Sequence, residues 1–381
     1  MKTIYFDYNA ATPLDPAVRE AMLPFWGEIF GNPSSVHHVG RKARALLDDA
    51  RDRVATVWRA KPSEVVFTSG GTESNNLAVL GAARLLREKG RHVITSSIEH
   101  DAVLDCCQYL ARKEGFDVTY LPVDAEGIVS PDDLKKAIRA DTTLVSIMSA
   151  NNETGSIQPV SVLGEICRAR GVLFHTDAAQ SFGKEPFEDI HQFNADMVSF
   201  CSHKLHGPKG AGTLFIKSPL LPDPIIFGGG HENERRAGTE NVPAIIGLAE
   251  TMERFVKTPV FQSDKLFPLT NHLINSVQSL EGVAFRGSLR NRLSNTVAIT
   301  VAGCDSITLL AGLDMEGICA SSGSTCSAGS LEPSHVMSAM GVDKNSANSL
   351  VRFSLGRDST LEKVQIAAGV LKNVINRVLH Y

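Results

Sequence analysis

The chain has 381 residues, enough for one large domain and a smaller one, and its apolar share of 43% supplies buried cores without metal or disulfide staples. A net charge of −4 and a pI near 6.3 give no basic stripe for nucleic acid, and no segment reaches the roughly eighteen uninterrupted apolar residues of a membrane span, nor does the start at Met1 carry a long apolar leader run. Seven scattered cysteines, an odd number with no C-x-x-C pair, suit a reducing compartment, by default the cytoplasm, and argue against a disulfide framework or structural zinc.

From about residue 62 to 217, short β-rich runs alternate with helical patterns. That is the signature of βαβ units and a mainly parallel sheet covered on both faces. Strands are predicted over 65–68, 92–95, 144–148 and 172–175. Helices are predicted over 73–88, closed by Lys89-Gly90, and over 101–114, closed by Gly115. Cys106 and Cys107 fall on different faces of the second of these helices. A further helix runs from Asn241-Val242-Pro243 to about Val256. After Lys257-Thr258-Pro259 the order of elements becomes less regular, which places a domain boundary there. The remainder reads as a strand over 295–301, a helix over 306–313, a loop through Ser330, a helix over 334–340, a strand over 350–354 and a terminal helix. The fold class is α/β.

Ser69-Gly70-Gly71-Thr72-Glu73 follows a predicted strand and opens a predicted helix, so its free N–H groups and the helix dipole favour a bound phosphate. An ordinary strand-to-helix turn accounts for it equally well, and the G-x-x-x-x-G-K-[ST] nucleotide loop is absent. In His175-Thr176-Asp177-Ala178-Ala179-Gln180 an acid stands at a strand end, where open α/β sheets bind ligands; alone, it reads better as a helix cap. Downstream, Ser202-His203-Lys204 is followed by Gly207-Pro208-Lys209-Gly210. A lysine in that setting can be desolvated and made nucleophilic toward an aldehyde. Arg352 lies on an otherwise apolar strand and needs an anion, either a substrate carboxylate or an internal Asp or Glu. Cys326 sits in a run of Ser, Gly, Thr and Ala, a mobile, exposed setting in which a reactive thiol is more plausible than packing; Cys319 reads as core.

Gly-Gly-Thr, then Asp-Ala-Ala-Gln, then Ser-His-Lys, in this order, resembles the fold-type I pyridoxal-phosphate enzymes. More narrowly, the chain is similar end to end to cysteine desulfurases of the NifS and IscS group. The similarity runs through Tyr5-Phe6-Asp7-Tyr8-Asn9-Ala10-Ala11-Thr12-Pro13, Gly31-Asn32-Pro33-Ser34-Ser35-Val36-His37, Ala150-Asn151-Asn152-Glu153-Thr154-Gly155, Arg235-Arg236-Ala237-Gly238-Thr239-Glu240-Asn241 and Ser321-Ser322-Gly323-Ser324-Thr325-Cys326. The resemblance implies a large domain, 13–257, with a mainly parallel seven-stranded sheet between helices. It implies a smaller α+β domain, 1–12 with 258–381, that carries the cysteine loop and Arg352.

Residue by residue, the resemblance implies that Lys204 forms the aldimine with pyridoxal 5′-phosphate and that Asp177 pairs with the ring nitrogen. Gly71, Thr72, Ser202 and His203, beside Cys201, would hold the phosphate, joined by Thr239 from a second subunit of a homodimer. Asn152 and Gln180 would contact the ring oxygen, and His100 would stack on the ring and move protons. Arg352, with Asn152, would bind the carboxylate of L-cysteine. Cys326 would take the sulfur as a persulfide, leaving alanine, for an iron–sulfur scaffold or another acceptor protein, and it stays open as a transient iron–sulfur ligand. Thr325 and Cys201 depart from the pattern, which commonly has Ala and Ser there, without removing a catalytic group. A selenocysteine lyase or aminotransferase would share Lys204, Asp177 and Arg352, and a non-catalytic iron–sulfur scaffold would use Cys106, Cys107 or Cys326.

Overall fold

The computed structural model describes residues 3–323 and 333–379. Its strands are β1 (Ile4–Tyr5), β2 (Val65–Thr68), β3 (His92–Ser96), β4 (Asp117–Leu121), β5 (Thr142–Ser146), β6 (Leu173–Asp177), β7 (Met197–Cys201), β8 (Gly212–Ile216), β9 (Val283–Arg286), β10 (Thr296–Val301), β11 (Ile318–Cys319) and β12 (Val351–Ser354). The helices are α1 (Pro16–Met22), α2 (His38–Trp58), α3 (Gly71–Leu85), α4 (Asp101–Glu114), α5 (Pro131–Ala137), α6 (Val160–Ala169), α7 (Val242–Phe255), α8 (Ser263–Val277), α9 (Ser306–Met315), α10 (His335–Ala339), α11 (Lys344–Ala347) and α12 (Leu361–Leu379).

Seven strands form one sheet in the order β2-β8-β7-β6-β5-β3-β4. It is parallel from β7 to β4, and β8 runs antiparallel to both of its neighbours. The strands are apolar on both faces because both faces are covered. Val65, Phe67, Ile94, Val145, Val198, Phe200 and Phe215 turn to a layer shared with α2, α6 and α7. The intervening Val66, Val93, Leu144, Met197 and Leu214 turn to a layer built by α3 and α4. Alternation along each strand therefore fills two cores, which is how the sandwich expected from the sequence is built.

The second sheet is antiparallel, in the order β12-β10-β9, and packs α8, α9 and α12 over one face. Its other face meets α10 and, through Ala298 and Leu350, the loops carrying Ile98 and Met148. The N-terminal β1 pairs with β11, and Asp7 bridges to Ser354 at the end of β12. The start of the chain is thereby carried to the same place as its last strand.

Three sequence expectations shift locally. β5 ends at Ser146, short of Met148, because the Met148 N–H leaves the ladder for the Glu99 carboxylate. α3 closes at Leu85, after which Lys89 and Gly90 both return to the Leu86 carbonyl. Gly90 then lies against the Asp141 carbonyl, where an added Cβ would come within 2.2 Å. Cys106 and Cys107, adjacent on α4, are both buried in the α3–α4 layer, which encloses more than one stripe of that helix. Cys319, expected in the core, is half-buried on β11.

Candidate active site

The carboxyl ends of β2, β5, β6 and β7 open into a pocket whose wall includes Gly71, Thr72, His100, Asn152, Asp177, Gln180, Cys201, His203, Lys204 and Arg352. Ten sequence-predicted site residues thus meet in one place. Ser202 does not line it: its hydroxyl is buried and donates to the carbonyls of Pro208 and Ala211, bracing the turn that follows β7. Thr239 is exposed and also lies off this wall. Cys326 falls outside the described residues.

At one end of the pocket, β2 runs directly into α3. Gly70 is the N-cap and offers no side-chain cap, so the first N–H groups of this 15-residue helix are free of capping partners among the described residues. Gly212, the first residue of β8, lies so close that an added Cβ would stand 2.6 Å from the Gly70 Cα. Glu73 braces the turn by accepting from the Ser69 N–H at 3.0 Å and pairing with Arg236 at 2.7 Å. Uncapped N–H groups at the positive end of a helix dipole suit an anion with several oxygens.

Asp177 ends β6. Its Oδ1 accepts from the Ala179 N–H at 2.9 Å and its Oδ2 from Asn75 Nδ2 at 2.6 Å, so the carboxylate is held in one orientation by a turn and by α3. Two residues earlier, His175 is clamped between Ser146 and Ser199 at 2.8 and 2.9 Å. Burial pushes its pKa down to about 4, so the ring beneath Asp177 is neutral at physiological pH.

Lys204 closes the short turn after β7. Its Nζ donates to the carbonyls of Asn9 and Ala10 at 2.6 and 2.9 Å. Burial lowers its pKa, with only partial compensation from Cys201, and this eases formation of the free amine that a carbonyl carbon needs. His203 beside it is pushed down to about 4, chiefly by burial and then by Lys204 and Lys209, so it serves as a neutral imidazole. His100 caps α4: its Nδ1 accepts from the Ala102 N–H at 3.0 Å, which leaves Nε2 as the ring nitrogen available for proton exchange.

Arg352, on β12, is 2% exposed. Its Nη2 donates to Asp7 at 2.7 Å and its Nη1 to the carbonyls of Asn152 and Gly323 at 3.0 and 3.1 Å, whereas its buried Nε has no partner among the described residues. The internal acid and the open donor coexist, so both readings of Arg352 made from the sequence have a physical basis. Burial holds the described cysteines as thiols: Cys201 is pushed up to about 11, and Cys106 and Cys167 to about 12. None of these is poised as a nucleophile.

The pocket therefore suits a ligand with a phosphate at one end, a basic ring nitrogen facing Asp177 and a carbonyl carbon within reach of Lys204, which are the features of pyridoxal phosphate. Sequence reasoning missed four members of the site. Asn75, one turn into α3, holds Asp177. Asn9 links Lys204, Gln180, Asn152, Asn295 and Thr296. Asp7 pairs with Arg352, and Lys184 lies behind Gln180. Asp7 and Asn9 stand in a stretch already singled out by resemblance, and their alternation with apolar Phe6 and Tyr8 was the available signal; Lys184 gave none.

A model of the class-V aminotransferase family matches residues 4–366. The cysteine desulfurase IscS of Dictyoglomus turgidum is 45% identical over 378 residues, which cover 99% of this chain and 95% of that one. Among solved structures, a NifS-like protein aligns with a TM-score of 0.90 at 38% identity over 100% of both chains. SspA in complex with cysteine aligns with a TM-score of 0.81 at 37% identity, covering 94% of this chain and 100% of that one.

Proposed function

Because the chain belongs to the class-V aminotransferases and, within them, to the cysteine desulfurases, we propose that it holds pyridoxal 5′-phosphate on Lys204 and moves the sulfur of L-cysteine to Cys326. The observation that supports this most strongly is the meeting of Lys204, Asp177 and the uncapped start of α3 on one pocket wall. When bound, the cofactor supplies an electron sink for bonds at the substrate α-carbon. The N–H groups of Gly71 and Thr72, with His203, would take the phosphate, and Thr239 and Ser202 would complete its surroundings, Thr239 from the second subunit of a homodimer. Asp177, fixed by Asn75 and Ala179, would hold a proton on the ring nitrogen. Gln180 and Asn152 would face the ring oxygen.

Arg352 binds the carboxylate of L-cysteine in this reading, through the guanidinium edge that includes its unpartnered Nε. Lys204 and the Nε2 of His100 move protons at the α-carbon and the leaving skeleton. Cys326 thiolate attacks the substrate sulfur: an S–S bond forms as the C–S bond breaks, and the carbon skeleton, reprotonated, leaves as alanine. Cys326 follows Gly323 by three residues in the chain, and the Gly323 carbonyl accepts from Arg352. The persulfide then passes to an iron–sulfur scaffold or another cysteine-bearing acceptor, in the cytoplasm. Residues 13–257 act as the cofactor domain, and 1–12 with 258–381 as the smaller domain bearing Arg352 and Cys326. Among the described residues no helix is long and apolar enough to cross a membrane.

Mass spectrometry after a single turnover tests the reading. An added sulfur is expected on the Cys326 peptide. Cys326→Ser is expected to bind cofactor and to change its visible absorbance with L-cysteine, yet to release no alanine, because a hydroxyl is a far weaker nucleophile toward sulfur. Sulfur on a peptide containing Cys106, Cys107 or Cys167, with Cys326 unmodified, overturns it.

A further inference from the structure

Lys184 is 1% exposed and has no carboxylate partner among the described residues. Its Nζ donates to two amide oxygens, Gln180 Oε1 at 2.5 Å and Asn9 Oδ1 at 2.7 Å, and lies 5.2 Å from the centroid of the Phe261 ring. A lysine buried this way, without an ion pair, is costly to keep unless its donors meet a need. Two amide oxygens match the two N–H groups of a neutral amine. Burial lowers its pKa well below the usual range, the charges of Lys204 and Arg352 lower it further, and Cys201 and Glu185 oppose them weakly.

What these bonds fix is the orientation of Gln180. An amide side chain offers oxygen on one edge and N–H on the other, and the two are interchanged by a half-turn. Lys184 gives one N–H to Asn9 and the other to Gln180, while the Asn9 carbonyl accepts from Gln180 Nε2, so the oxygen edge of Gln180 is the one turned to Lys184. The Nε2 edge then faces the other way, with one N–H on the Asn9 carbonyl at 3.1 Å and the second left for the pocket that Gln180 lines. Asn9 itself does not depend on Lys184 for its position, since Asn295 and Thr296 also hold its side chain.

We propose that Lys184 is a positioning residue, which locks Gln180 so that it presents an N–H, never its carbonyl oxygen, to the ring oxygen of the cofactor. This rests on the pyridoxal-phosphate reading above. An N–H donor favours the deprotonated ring oxygen, and a carbonyl oxygen in its place would repel it. Lys184 touches neither the ring nor the substrate in this arrangement, and acts through Gln180 alone.

The test compares cofactor affinity of the apo-protein and the pH midpoint of the bound cofactor's visible absorbance in wild type, Lys184→Met, Gln180→Ala and the double variant. Lys184→Met is expected to weaken pyridoxal-phosphate binding about tenfold and to raise the absorbance midpoint, as loss of one hydrogen bond to a charged oxygen implies. In the Gln180→Ala background the same substitution is expected to change neither quantity, because the residue through which it acts is gone. Lys184→Gln, which keeps a donor one atom shorter, is expected to restore part of the affinity, and it carries the comparison if the methionine variant does not fold. Unchanged affinity and midpoint in the folded variants, or effects that add fully to those of Gln180→Ala, overturn the proposal. A wild-type protein with no visible band that depends on Lys204 would instead overturn the cofactor reading on which it rests.

Discussion

At the ends of the parallel strands, polar groups are held from several sides: Asp177 by Asn75 and Ala179, His175 by two serines, Glu99 by Ser96 and the Met148 N–H. The wall contributed by β12 differs. There a single buried guanidinium meets one acid and two carbonyls and still has an open donor. The first wall is preorganised, so its geometry exists before any ligand arrives, and it suits a resident group bound tightly and for long periods. The second has unspent bonding capacity, which suits a substrate that must come and go.

The largest expected effect that would break this comparison is at Arg352. Arg352→Ala is expected to raise the KM for L-cysteine on the order of 100-fold, with kcat changed much less, since a charge-assisted carboxylate contact made equally in ground and transition states is lost. Steady-state kinetics decide it. A steady KM with a collapsed kcat would place Arg352 with the preorganised wall.

Asp7 sharpens the same contrast on a smaller scale. Asp7→Ala removes the anchor on Nη2 and leaves Nη1 on the carbonyls of Asn152 and Gly323. The guanidinium then keeps its place but loses part of its alignment, so KM is expected to rise about tenfold, less than for Arg352→Ala. An effect equal to that of Arg352→Ala would mean that the acid, not the backbone, sets the position of the arginine.

The contrast also explains what could be read from the sequence. The preorganised wall lies at strand ends, and runs such as Val65–Thr68 and Met197–Cys201 announce those ends through apolar periodicity followed by glycine or polar residues. Asp177 and Lys204 were legible for that reason. The site's assembly from distant segments was not: Asn9 reaches the pocket, and Asp7 reaches Arg352 behind it, only because β1 pairs with β11 and the N-terminal segment then meets β12, a contact across more than 340 residues. Local patterning carries no information about such pairings. Lys184 was invisible for another reason, because a lysine four residues beyond Gln180 looks like a solvated side chain until packing buries it. Ser202 is named for the phosphate by resemblance alone, and the bonds of its hydroxyl to the Pro208 and Ala211 carbonyls, which brace the turn after β7, are likewise set by packing that no local pattern announces.

Glu99 gives the smallest expected effect and probes the preorganised wall alone. Its carboxyl is fully buried, accepts from Ser96 Oγ at 2.6 Å and from the Met148 N–H at 2.9 Å, and is pushed up to about 8, first by burial and then by the nearby Asp177, against the lowering effect of those two donors. The sign follows from the direction of this shift. Between the ordinary carboxyl value and about 8 the unfolded chain loses this proton while the folded chain keeps it, so the protonated acid contributes stability that is complete at low pH and lost as pH rises through that window. Glu99→Gln keeps an oxygen acceptor and cannot ionise. Its melting temperature is therefore expected to fall less than that of the wild type between about pH 5 and pH 8, with the gap shifting in the variant's favour by a few degrees at the upper end. Parallel melting curves for the two proteins across that range would show that Glu99 is ionised in the folded state at pH 7, and that this part of the wall is held by a charge and not by a neutral acid.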